Sequence, residues 1–479
     1  MKVRARIFAP EFRKWWTLWA VSFGLFMIML DNTIVNVALP AIQRDLQIGI
    51  SELEWVVTGY ALTFAVLMLT GGKLADLYGR RLIFIVGLAI FTGASLACGL
   101  APDANFLIGA RVVQGVGSAL MNPATLSIIV ATFPPRQRGM AIGVWAGVSA
   151  MALAIGPLLG GVIAEHLHWG WIFFINVPVG VLAIVVARLV IEESRDTSVE
   201  QRLDLPGLIT SAGGLFALTY ALIEANTYGW TSARILALFA LATFGLVAFV
   251  ILESRQRLPM LDLSLFRNAT FAGANAVMLL VALAMFGVFF FISLFVQNVL
   301  GYSPTETGAT FLPMTLLIVL VAPIAGKYSD RAGSRWLMGG GMVFVGGSLL
   351  LFAQLDESST FWAVLPGMVV GGLGMGLAMT PTTAAAMGSV PTDKAGVGSA
   401  VLNSMRQVGG SMGIAIMGAI VTANVTVSRG DSRSGAQFVD GLHQALYVAA
   451  AVAFAAAVIA VATVRRVRHA EPHAIPEAA

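Results

Sequence analysis

The chain has 479 residues, of which 58% are apolar and only 11% charged, and its mean hydropathy is +0.84. A soluble domain runs at about 45–50% apolar and about 25% charged, so this composition excludes a soluble globular enzyme and a disordered chain. A net charge of +4 is too small and too scattered for nucleic acid, and a single cysteine, Cys98, excludes an intramolecular disulfide.

Apolar runs follow in chain order at residues 17–39, 53–72, 82–101, 105–129, 140–164, 172–190, 205–223, 233–252, 268–297, 306–326, 336–354, 361–382, 397–424 and 442–464. A membrane-spanning helix needs about 20 apolar residues. These runs are too long for strands and lack period-two alternation, so they read as helices. The prediction is an all-α integral membrane protein with fourteen transmembrane helices. The first run does not read as a signal peptide. It is too long, it opens on Trp15, Trp16 and Trp19, and no small-residue cleavage site follows Pro40.

Lys and Arg set the orientation. With a cytoplasmic N-terminus, Arg44, Arg234, Arg429 and Arg433 fall outside, and Arg111 and Arg406 lie within spans. The other 23 of the 29 basic residues fall inside. Both termini are therefore expected in the cytoplasm, with the basic ends serving as topogenic charge. The five histidines sit near span ends or in the tail, so no metal site is expected.

The loop after the second run reads Gly72-Lys73-Leu74-Ala75-Asp76-Leu77-Tyr78-Gly79-Arg80-Arg81. The loop after the tenth reads Gly326-Lys327-Tyr328-Ser329-Asp330-Arg331-Ala332-Gly333-Ser334-Arg335. Five of ten positions match at a constant offset of 254. Six spans with short loops need roughly 200 residues, so the offset holds about two helices too many. The surplus is the pair of runs within 204–252, flanked by charged stretches. The expected organisation is an N-terminal six-helix bundle (1–190), an inserted transmembrane hairpin with cytoplasmic flanks (191–267), and a C-terminal six-helix bundle with a short tail (268–479). Parallel halves of this kind place a substrate site near the midplane between them.

Asp31 is the only carboxylate deep in any span. A charge at the membrane centre costs roughly 2.5–3.5 kcal/mol on insertion scales, which marks it as functional by default. At 1.5 Å per residue Asp31 stands about 21 Å above the start of the first run. Arg111, entering from the other side, falls about 20 Å above the inner face of a ~30 Å core. The two share a depth. Burial disfavours the charged carboxylate and a nearby Arg favours it, a balance suited to a group that gains and loses a proton in a cycle. The other reading is a static ion pair that orders two helices.

Arg406 lies near the midplane of the thirteenth run, with no acid on any span of that half. It reads either as a helix-packing donor beside Asn403 and Gln407 or as a contact for a substrate anion. Asn32, Asn36, Tyr60 and Gln114 supply polar groups in the first half. Phe286, Phe289 and Phe290 share one face of the ninth run, fit either for packing or for a pocket that takes lipophilic compounds.

The loop with Gly72, Asp76, Gly79, Arg80 and Arg81 resembles the signature of the major facilitator superfamily. Further stretches narrow the likeness: Leu30-Asp31-Asn32-Thr33 through Pro40, Arg111-Val112-Val113-Gln114-Gly115 with Gly117, Gly147 followed by Gly156-Pro157-Leu158-Leu159-Gly160-Gly161, Trp171-Ile172-Phe173-Phe174-Ile175-Asn176-Val177-Pro178, and Asn403-Ser404-Met405-Arg406-Gln407-Val408-Gly409-Gly410. Together they resemble the fourteen-span drug:proton antiporters of the QacA/EmrB type, over nearly the whole chain. Leu77 stands where a basic residue is usual, and Trp169-Gly170-Trp171 where Trp-Arg-Trp is common. The resemblance implies proton coupling at Asp31 modulated by Arg111, and a sealing role for Gly156 and Pro157. It also implies a contact between the Asp76 loop and the opposing bundle in one transport state.

The expected function is proton-coupled export of small hydrophobic or amphipathic compounds by alternating access. The alternative is export of one endogenous metabolite, lipid or antibiotic. The expected partners are the small-molecule substrate, protons and the lipid bilayer. A monomer in a bacterial cytoplasmic membrane is expected, with no cofactor beyond the proton gradient. An intramembrane enzyme would need clustered acids or midplane histidines, which the sequence lacks.

Overall fold

The computed structural model describes residues 10–195, 204–256, 259, 261–390, 395–425 and 434–465. Among the described residues there are helices and loops but no strand. In chain order the helices are α1 (Pro10–Leu46), α2 (Ile50–Tyr78), α3 (Arg80–Gly99), α4 (Ala104–Thr132), α5 (Pro135–His166), α6 (Trp171–Phe174), α7 (Asn176–Val190), α8 (Leu205–Tyr228) and α9 (Ala233–Arg255). They continue with α10 (Ala269–Asn298), α11 (Pro304–Thr310), α12 (Leu312–Ala332), α13 (Ser334–Phe352), α14 (Phe361–Gly388), α15 (Ala395–Asn424) and α16 (Ser434–Thr463).

Thirteen spans among the described residues are long and apolar enough to cross a membrane, α6–α7 and α11–α12 each counting as one. The thirteenth run of the sequence, α15, has the length, 30 residues, but is not one of them. Arg406, Gln407 and Asn424 dilute its apolar content.

Helix ends fall where local chemistry puts them. Asp103, Ser232 and Asn268 cap α4, α9 and α10 through their side chains, and Ser303 with Glu306 forms a capping box on α11. The two repeated loops turn on matching glycines. Gly79 has φ +117 and Gly333 has φ +89, a backbone region that favours glycine.

Packing repeats along with the sequence. α2 and α3 pack on α4 as α12 and α13 pack on α14, and α1 lies on α5 and α7 as α10 lies on α15 and α16. Besides smaller contacts of α1 with α11 and of α4 with α15, the halves are joined by α1 with α10, α2 with α15, and α5 with α11 and α12. The last two are the same contact with the halves exchanged. Hydrogen bonds across this boundary sit between mid-depth and the end of the molecule that carries Arg44. Ser404 Oγ donates to the Ala65 carbonyl (3.0 Å), Ser293 Oγ to Asn36 O (2.8 Å), Gln297 Nε2 to Val37 O (2.8 Å), Asn298 Nδ2 to Gln43 Oε1 (3.2 Å), and the Thr305 amide to Glu165 Oε2 (2.9 Å). The hairpin lies against this boundary. α8 packs on both α2 and α15, and α9 packs on α8.

Candidate functional site

Asp31 and Arg111 meet. Arg111 Nη1 donates to Asp31 Oδ2 at 2.6 Å and to Gln114 Oε1 at 2.6 Å. Gln114 Nε2 donates to Asp31 Oδ1 (3.0 Å) and to Ser95 Oγ (2.9 Å). Arg111 Nε donates to the Val56 carbonyl at 3.0 Å, tying α4 to α2. Asp31 and Gln114 are fully buried and Arg111 is 1% exposed. The guanidinium lies 4.2 Å from the Tyr60 ring centroid and 5.6 Å from that of Phe173, placed to use cation–π attraction in a desolvated setting.

A buried ion pair is costly unless its remaining polar groups are also satisfied. Here both Asp31 oxygens accept, one from a charged donor and one from an amide. The cluster joins α1 to α4 and, through Val56 and Ser95, reaches α2 and α3.

The remaining polar residues occupy several environments. Gln114 and Tyr60 belong to the ion-pair cluster, with the Tyr60 hydroxyl 2.9 Å from Ser118 Oγ. Asn32 is half-buried, and Asn36 donates to the Asn32 carbonyl (3.0 Å). Phe290 is fully buried, Phe289 stacks on Phe311 at 5.2 Å, and Phe286 lies against Gly410. Asn403 donates to Ser399 O (3.0 Å). Arg406 is half-buried within electrostatic reach of Tyr60, with no acid paired to it among the described residues. Next to it, the buried amide of Gln407 has neither atom hydrogen-bonded.

In the repeated loop, Arg80 clamps Asp76 Oδ1 through Nε (3.1 Å) and Nη2 (3.0 Å). Gly72 packs near Pro123, and a Cβ at Gly79 would run into Glu193. Glu193 accepts from the Arg81 and Leu82 amides at 3.1 Å each, capping α3 from a distant segment. The side chain of Asp330 lies outside the described residues. On α5, Gly156 and Gly160 lie against Thr33 and Ile34 of α1, while Gly161 abuts the Pro304 backbone and Pro157 abuts Gly308.

Sequence reasoning did not find Ser95, Val56, Phe173 or Glu193. Ser95 sits in an apolar run without a motif, Phe173 lies in the Trp171–Pro178 stretch with nothing there to tie it to Arg111, Val56 acts through its carbonyl, and Glu193 looked like part of a charged linker.

The Major Facilitator Superfamily model matches residues 21–414. The chain belongs to that family. It is 37% identical over 413 residues to the tetracenomycin C resistance and export protein of Streptomyces glaucescens, covering 86% of this chain and 77% of that one. It is 37% identical over 456 residues to the puromycin resistance protein pur8 of Streptomyces alboniger, covering 94% and 90%. It is 38% identical over 410 residues to the multidrug resistance protein Stp of Mycobacterium tuberculosis, covering 85% and 76%. In fold it resembles a bacterial homologue of the human lysosomal transporter Spinster, solved in an inward-facing, unoccupied conformation. That likeness has a TM-score of 0.67 at 18% identity and covers 94% of this chain and 96% of that one. The chain is thus a transporter and not an enzyme, a multi-pass protein of the bacterial cell membrane.

Proposed function

We propose that this transporter is a proton-coupled exporter of small hydrophobic or amphipathic compounds, working by alternating access. The observation that carries the reading is Asp31. It is a fully buried carboxylate at mid-depth, held by Arg111 and Gln114, in a chain whose relatives are named for resistance and export. The reading includes fourteen spans with α15 as the thirteenth, both termini cytoplasmic, two six-helix bundles with α8–α9 inserted, a monomer, and no cofactor beyond the proton gradient.

With the Asp76 loop on the cytoplasmic side, the hydrogen bonds between halves close the external side. The conformation is then inward-open, with Asp31 paired to Arg111 after release of its proton to the cytoplasm. Substrate binds from the inside in this state. Proton uptake from outside returns the empty carrier, because a neutral Asp31 no longer holds Arg111. Arg406 and the unpartnered Gln407 amide offer polar contacts in the other half, so neutral and anionic amphiphiles belong to the substrate class alongside cations.

A second reading, export of one antibiotic, is favoured by relatives named for tetracenomycin C, puromycin and methylenomycin A. The test is a compound panel added to acid-loaded proteoliposomes. Proton release by many unrelated lipophiles supports the first reading, and release by a single chemical class supports the second. No release with any compound would remove proton antiport.

A further inference from the structure

We propose that Glu54 is a proton-binding residue of the external gate, neutral when the halves are sealed and ionised when they part. The inference rests on alternating access but not on Asp31.

Glu54 lies in the second turn of α2 and is 1% exposed. Neither carboxylate oxygen has a hydrogen-bond partner among the described residues. Asp31, equally buried, has two donors; the contrast sets the chemistry of Glu54. Its carboxylate faces the opposite half, so close to α15 that a Cβ at Gly418 would collide with it. The hairpin closes the third side. The Tyr220 ring centroid of α8 is 5.8 Å from that of Trp55, and Asn226 Nδ2 donates to Ala419 O (2.6 Å) and Thr422 Oγ1 (2.7 Å) of α15.

Among the described residues, the charged groups around this junction offer no counter-ion. Glu224 of α8 and Glu52 of α2, the two within electrostatic reach, are acids. From α15 the charge is Arg406, twelve residues below Gly418 and so about 18 Å along the helix. Arg111 of α4 is held by Asp31. Arg44 stands exposed at the end of α1, and Arg234 of α9 lies over the Tyr228 ring at 3.8 Å.

An ionised, unpartnered carboxylate is among the costliest occupants of a buried site, whereas the neutral acid is tolerated far better. The sealed junction therefore accommodates Glu54 with its proton. Parting the halves hydrates the carboxylate and lets the proton leave to the outside. By linkage, the sealed state gains as external pH falls and loses as it rises. Glu54 thus acts as an external acid sensor in the gate, and α8 supplies one wall of its site.

The test uses spin labels at Arg44→Cys on α1 and Ala436→Cys on α16, both exposed positions in opposite halves, in a Cys98→Ala background reconstituted in lipid. Double electron–electron resonance reads the sealed and open distances from acidic to alkaline pH. In the parent protein the sealed-to-open ratio should fall with rising pH, by at most about tenfold per pH unit for one proton. Glu54→Gln, an uncharged isostere, should stay sealed across the range, and Glu54→Leu should do the same. A Glu54→Gln response that titrates like the parent, or a parent without pH response, overturns the proposal. Asp31→Asn separates the two readings: it should lose coupled transport while keeping the Glu54-dependent titration.

Discussion

Gly161 of α5 and Pro304 at the start of α11 approach so closely that a Cβ on the glycine would strike the proline carbonyl. One turn away the relation is reversed, with Gly308 lying against Pro157. Each half thus offers a glycine to the other half's proline. Small residues let helix backbones close on one another, and the absence of a side chain here allows the seal at the Arg44 end.

Gly161→Val should prop this seal open. Overpacking costs about 1–3 kcal/mol, which moves a two-state balance by roughly 5–150-fold. Labelling of a cysteine placed at the external end of α5 should rise by a factor in that range, while expression stays near that of the parent. Unchanged labelling would mean that the seal yields without cost.

Arg111→Gln should destabilise the protein more than Asp31→Asn does. It leaves a buried carboxylate without its cation, a loss of about 3–5 kcal/mol. Asp31→Asn instead leaves Arg111 with Val56 and Gln114 as acceptors. The double variant should recover part of the loss. Thermal melting in detergent, followed by size-exclusion chromatography, gives the order.

The Asp76 loop is held within its own half in this conformation, by Arg80 and by the Glu193 cap. If the loop also contacts the opposing bundle when the halves close at that end, Asp76→Asn should shift the resting population by removing a contact made in one state only. Asp330→Asn should do less, because the first loop keeps more of the signature. Cysteine accessibility from the two membrane faces, in a Cys98→Ala background, measures the shift. Equal accessibility in Asp76→Asn and the parent would leave the loop with an orienting role alone.

Deleting 204–252 and rejoining the bundles should leave a folded core, since α9 packs on α8 rather than on either bundle. The α2–α15 boundary would lose its cover, and the variant should elute as one species with native helix content but a lower melting temperature. Aggregation in every joining design would show that the hairpin is integral to the fold.

The all-helical membrane class, the internal repeat and the shared depth of Asp31 and Arg111 were legible because burial in lipid forces long apolar runs and makes every interior charge conspicuous. The matching glycines of the two loops were legible because a positive φ constrains residue type. Other features carry no local signal. Gln114 reads as a cavity residue until its amide is seen between Arg111 and Asp31. The Phe286–Phe289–Phe290 face looks the same on a helical wheel whether it lines a pocket or packs, and in the fold Phe289 stacks on Phe311. Glu54, two residues into a run, looks like a helix-end acid, and only the approach of α15 and α8 buries it.

The central claim is that Asp31 carries the proton that drives export. Proteoliposomes holding either the parent or Asp31→Asn, with an imposed pH gradient and a substrate found by the proton-release screen, test it directly. The parent should accumulate substrate against its gradient. Asp31→Asn should insert and fold, bind substrate, and transport no faster than protein-free liposomes. Gradient-driven accumulation by Asp31→Asn at the parent's rate would contradict the account.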